Sequence, residues 1–139
     1  MKINLRRVDD AFRLEATNHR GDVMFTDGSA DIGAGENGWR PMETLLISLA
    51  GCSAIDVISI LTKQRQTIKD FEIEIDGDKR SDGPPTPYSA IRVHYKLKGN
   101  IKSAKMNKAI ELTRTKYCSV YFSLHPDIDV SYTYEIEEA

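Results

Sequence analysis

The stretch "PMETLLISLAGCSAIDVISIL" (41–61) limits what this chain can become more than any other part of it. From Leu45 to Leu61 the only charged side chain is Asp56. Proline is tolerated at a first helical position because that N–H has no partner within the helix, so the segment predicts a helix from about Pro41 to Arg65. Leu45, Leu46, Leu49 and Cys52 fall on one stripe, and Ile47, Ala50, Ala54, Val57, Ile58 and Leu61 on another. A helix apolar nearly all round must be buried nearly all round. One small sheet covers only one side, and the simplest cover for the other is a second copy of the chain. The run is just short of a membrane span and carries Ser48, Ser53, Asp56 and Ser59, so a soluble protein is expected, with no membrane partner.

Around this helix the apolar pattern changes to period two. Segments 2–7, 11–18 and 22–27 predict three short strands, with Asp9 and Asp10 in a hairpin turn. Phe71, Ile73 and Ile75 alternate with Glu72, Glu74 and Asp76. Ile91, Val93, Tyr95 and Leu97 alternate with Arg92, His94, Lys96 and Lys98. Val130, Tyr132, Tyr134 and Ile136 form the last such run. This alternation predicts antiparallel sheet with one wet face, and the acidic face of 71–76 is suited to pair with the basic face of 92–98. A second helix, amphipathic, is predicted from Ser103 to Thr115, followed by a helical turn in "KYCSVYFSL". The order β-β-β-α-β-β-α-β is that of an α+β protein. With 139 residues and no linker-like stretch, it reads as a single domain.

Composition narrows function chiefly by exclusion. A net charge of −2 and a pI near 5.9 supply no basic face for nucleic acid. The start "MKINLRRVDD" has no apolar core of a secretory signal, so a cytoplasmic location is expected. The glycine-rich loop 27–39 is not followed by Lys-Ser or Lys-Thr and does not read as a phosphate loop. His19, His94 and His125 form no zinc spacing with the cysteines, and neither a metal nor a cofactor is expected.

Two cysteines do not make a disulfide framework, and in a reducing compartment they are either inert filler or reactive. A free cysteine in a buried helix is commonly just a small hydrophobe. Three features favour reactivity. Both cysteines sit beside helical elements. Cys118 falls where a short helix begins, and the positive helix end favours a thiolate. The long helix starts at Arg40 and Glu43 after a glycine-rich loop suited to the lip of a pocket. Glu43 lies nine residues before Cys52, on the opposite side of a straight helix, so it is better placed to meet the Cys52 of a partner chain. Asp56 shares the face of Cys52, but an anion there raises a thiol's pKa, and a structural hydrogen bond or ion pair is its expected role. Met24, Met42, Tyr117 and Phe122 are candidates to line an apolar pocket, though core packing accounts for them equally well.

The "Pro-Met-Glu" helix start, "Gly-Cys-Ser-Ala-Ile-Asp-Val", "KQRQ" (63–66), "Lys-Tyr-Cys-Ser-Val" (116–120) and the closing "YEIEEA" together resemble the OsmC/Ohr superfamily, closest to its YhfA-like branch. The resemblance covers most of the chain. It implies an intertwined homodimer with active sites at the subunit interface, acting as a thiol peroxidase on organic hydroperoxides and restored by a dithiol or thiol reductant. Cys52 then matches the attacking cysteine and Cys118 the resolving one. The family's supporting arginine and glutamate fall near Arg20 and Glu43, each offset by one residue, with His19 and Arg40 as neighbouring alternatives. Those offsets leave a second reading open: a non-enzymatic dimer that binds a small ligand or senses redox state.

Overall fold

A computed structural model describes residues 1–139, which form two compact units, Met1–Leu45 and Leu46–Ala139. The element order follows the expected series, with β1 (Asn4–Arg7), β2 (Leu14–Thr17), β3 (Val23–Thr26), α1 (Pro41–Lys63), β4 (Thr67–Lys79), β5 (Tyr88–Asn100), α2 (Ser103–Leu112), α3 (Ser119–Ser123) and β6 (Asp129–Glu137).

In the first unit β1, β2 and β3 make an antiparallel meander. The Asp9 carboxylate closes the first turn by accepting from the Ala11 and Arg13 N–H groups. The glycine-rich loop is organised around Asp27, which is buried and accepts from the backbone of Gly28 and Asn37 at 2.8 and 2.9 Å. Those N–H groups, Asn37 foremost, hold its carboxyl below the usual range.

The start and stop of α1 are both written in local chemistry. Glu43 Oε1 accepts from the Arg40 N–H at 2.8 Å, so Arg40, Pro41 and Glu43 occupy the cap, first and third positions of a helix start closed from the third position. At the other end Arg65 adopts φ 59°, and the bonds Gln66 N–H to Leu61 O and Arg65 N–H to Thr62 O complete a Schellman stop. A left-handed residue here is normally glycine, so no glycine signal marked the end.

The second unit holds the sheet β4–β5–β6. β4 and β5 pair antiparallel with Glu72 opposite Lys96, Glu74 opposite His94 and Asp76 opposite Arg92, and the expected charge pairing follows. Lys96 Nζ lies 2.6 Å from Glu74, and Arg92 reaches Asp76 at 2.5 Å and Asp78 at 2.8 Å. Gly99, at φ 142°, sits where the register shifts between Ile68 and Asp70, and a Cβ there would collide with the Thr67 carbonyl. His94 is not merely solvated; its ring nitrogens meet Thr133 and Glu135 on β6.

One expectation fails: β6 pairs parallel, not antiparallel, to β5. Alternation reports which faces are wet, not strand direction. The direction is set by the connection through α2 and α3, a helical crossover of the kind that parallel neighbours require. The second helix is also shorter than expected. It ends at Leu112 and widens into a π turn over Thr113–Tyr117, where the Cys118 N–H bonds the Thr113 carbonyl.

The core of this unit joins Ile91, Val93, Tyr95 and Leu97 of β5 with Leu49, Ser53, Val57 and Leu61 of α1 and Met106 and Ala109 of α2, all essentially inaccessible to solvent. By length and hydropathy α1 reaches the size of a membrane span, contrary to the sequence reading, yet its Leu49, Val57 and Leu61 are fully buried within the chain. Only that face is covered. Ile47, Ile55 and Ile58 remain 42%, 70% and 39% exposed, and Gly51 is also exposed, its Cβ position open.

Candidate active site

Cys52 sits mid-way along α1, beside the buried face, and is half-buried. Asp56 follows one helical turn later on the same face. Cys118 comes from the far end of the chain, at the N-cap of α3, and is fully buried. The fold brings these three together: the two sulfurs and a carboxylate oxygen of Asp56 all lie within 4.8 Å of one another, although the cysteines are 66 positions apart. Both thiols are free.

Cys118 Sγ accepts from the Tyr121 N–H at 3.4 Å, so the expected helix start is present. Its expected effect does not prevail. Burial pushes the Cys118 thiol up to about 11, outweighing the Tyr121 N–H, and the adjacent Cys52 thiol and Asp56 carboxyl act in the same direction. One backbone N–H at 3.4 Å does not replace the water that surrounds an exposed thiolate.

Asp56 differs from its expected role. Its Oδ2 is buried and has no hydrogen-bond partner, and burial raises its pKa. It also forms part of the wall of a pocket of about 400 Å³, with Ser59, Ile60, Lys63, Leu112 and Tyr117. Asp56 is thus the one member of the trio that lines the pocket, which lies along the C-terminal half of α1. Of the proposed apolar lining residues only Tyr117 contributes to it. Phe122 lies against His125 and Ile128 in another hollow, and Met24 lines a hollow inside the first unit. Phe71, Tyr95, Tyr121 and Tyr132 form an aromatic cluster, with Tyr95 and Tyr132 stacked at 6.5 Å; burial raises the Tyr132 phenol, whose Oη has no partner.

The other two expected site residues are held locally in the first unit. Arg20 Nε bonds Asp22 Oδ2 at 3.1 Å in the exposed β2–β3 turn, where the Asn18 side chain fixes the backbone. Glu43 closes the start of α1, and Arg40 lies 3.3 Å from Glu36.

A family model described as "OsmC-like protein" matches residues 33–133. Protein YhfA of Escherichia coli strain K12 is 36% identical over 120 residues, covering 86% of each chain. Among solved structures, a hypothetical protein of Aquifex aeolicus superposes with a TM-score of 0.86 at 29% identity, over 99% of this chain and 96% of that one. The organic hydroperoxide resistance protein OhrB of Bacillus subtilis superposes with a TM-score of 0.64 at 17% identity, over 96% of each chain.

Proposed function

The chain belongs to the OsmC family, and from that premise we propose that it is a thiol peroxidase of organic hydroperoxides, working through Cys52 and Cys118. The observation that carries this reading is the meeting of two free sulfurs, from opposite ends of the second unit, within 4.8 Å beside a pocket. A disulfide needs about 2 Å between sulfurs, so closure takes side-chain rotation and a small shift rather than refolding. The likeness to OhrB, a hydroperoxide resistance protein, supports the same chemistry.

The division of labour follows from exposure. Cys52 is the more accessible thiol and is the attacker. Its thiolate forms an S–O bond to the distal peroxide oxygen as the O–O bond breaks, and the alkoxide leaves as alcohol after taking a proton. Cys118 stays protonated and buried until Cys52 is a sulfenic acid. Its sulfur then bonds to that of Cys52 while the S–O bond breaks, and hydroxide leaves. Asp56, within 4.8 Å of both sulfurs, takes the Cys118 proton and returns it to the hydroxide as water. A dithiol or thiol reductant donates two electrons and two protons to restore both thiols. Arg20 and Glu43 keep, within this proposal, the supporting roles that the resemblance assigns to them. The chain acts as a homodimer through the uncovered face of α1.

The test is one equivalent of cumene hydroperoxide added to the reduced protein. Both thiols should disappear with a mass loss of two hydrogens, and Cys118→Ser should trap sulfenic acid at Cys52. Thiols that survive this treatment refute the peroxidase. One observation favours the alternative, a redox-sensing or ligand-binding dimer: the Arg20 and Glu43 side chains already have local partners, Asp22 and the start of α1. That reading predicts slow oxidation of the same thiols without turnover.

A further inference from the structure

The same three side chains carry a second capacity, independent of whether the chain reduces hydroperoxides. Cys52 and Asp56 project one turn apart from the rigid middle of α1, and Cys118 approaches from a separate element. Three donor atoms, two sulfur and one oxygen, lie within 4.8 Å of one another. In a tetrahedral zinc site, with bonds of about 2.3 Å to sulfur and about 2.0 Å to oxygen, neighbouring donors are roughly 3.5 to 3.8 Å apart. Small side-chain rotations bring this trio to that spacing.

We propose that Cys52, Asp56 and Cys118 form a three-ligand site for a thiophilic divalent cation, Zn²⁺ foremost. The donor set is soft enough to prefer zinc to magnesium or calcium, which favour all-oxygen sites. Two further observations point to a cation. The buried Oδ2 of Asp56 has no hydrogen-bond partner, leaving a carboxylate oxygen that solvent does not satisfy. The Tyr121 N–H already donates to Cys118 Sγ, the kind of outer contact that steadies a metal thiolate. A fourth position is left for water or an exogenous ligand, and Asp56 opens onto the 400 Å³ pocket that supplies access. Lys63 on that wall offsets part of the negative charge left by two thiolates and a carboxylate on a divalent ion.

Binding replaces the thiol protons, which go to solvent, and forms two Zn–S bonds and one Zn–O bond without any change of oxidation state. A cation there blocks Cys52 from any oxidant, and oxidation of the pair to a disulfide removes two of the three ligands. With a hydroperoxide as the two-electron oxidant, the S–S bond replaces the two Zn–S bonds, the O–O bond breaks to give alcohol and water with two protons from solvent, and the zinc ion is released.

The test titrates the reduced full-length chain with Zn²⁺ against a chromophoric chelator, and in parallel with Co²⁺ as a spectroscopic probe. Expected are one ion per chain, release of protons, a thiolate-to-cobalt charge-transfer band, and zinc-dependent protection of both thiols from alkylation that a strong chelator reverses. Asp56→Asn should weaken zinc by about tenfold or more, since even outer-shell losses cost that much. Cys118→Ser should weaken it further and diminish the cobalt band. Wild-type protein that competes no better for zinc than the double variant Cys52→Ser/Cys118→Ser overturns the site, and this comparison is valid even if Asp56→Asn fails to fold. Unchanged affinity in a folded Asp56→Asn reduces the site to a bare dithiol and also overturns the proposal. Failure of the hydroperoxide test leaves these outcomes unaffected, so the two readings fall separately.

Discussion

Tyr95 Oη donates to Ser53 Oγ at 3.0 Å, with both groups buried, and this bond ties the central strand of the sheet to the helix position next to Cys52. Ser53 Oγ in turn donates to the Ala50 carbonyl. Tyr95→Phe removes the bond without leaving the serine unpartnered, so a loss of about 1 kcal/mol is expected, read as a lower urea midpoint with unchanged slope. A loss under a few tenths would show that the pair only fills space.

The raised Cys118 thiol fixes the sign of an alkaline effect. In the folded chain it keeps its proton up to about 11, against an ordinary value of 9.0. Between those values the folded state holds more protons than the unfolded, so stability falls as pH rises through the window. Tyr95 and Tyr132 are raised as well and add a decline of the same sign. Denaturant melts of the reduced protein at pH 8.5 and 10.5 should therefore show a steeper drop for wild type than for Cys118→Ser. Equal drops would place Cys118 in a far wetter setting.

Arg65 holds a left-handed conformation that glycine adopts with little strain. Arg65→Gly should raise stability by about 0.5 to 1 kcal/mol, a shift of a few degrees in thermal midpoint. A lower midpoint would mean that the arginine side chain contributes more than its backbone strain costs.

The uncovered face of α1 gives the test of self-association. Ile55 is 70% exposed in one chain, and Gly51, one turn earlier, leaves room for a helix to approach closely. Ile55→Asp should convert a dimer to a monomer in sedimentation velocity, because a carboxylate in an apolar seam has no partner. A wild-type chain that sediments as a monomer at tens of micromolar would refute the seam outright.

Much of the architecture was legible from residue patterns. Alternation located five of the six strands and the short segment 22–27 the other, Pro41 and Glu43 marked the helix start, and the opposed charges of 72–76 and 92–96 anticipated the β4–β5 register. Other features had no local signature. The parallel placement of β6 depends on the crossover before it, not on its own residues. The stop at Arg65 lacks its usual glycine. At Cys118 the sequence revealed the favourable helix start but not the depth of burial that outweighs it. The signal for Asp56 was present in its spacing from Cys52. Its importance emerged only when the fold supplied Cys118 and withheld the expected hydrogen bond.

The parallel β5–β6 pair bears on the order in which the two sulfurs are made and brought together. Cys118 rides on the segment that loops over the sheet, and the last strand can dock only after that loop has closed. A growing chain that has made α1 and β4 but not the crossover therefore holds Cys52 without the sulfur that meets it in the folded unit.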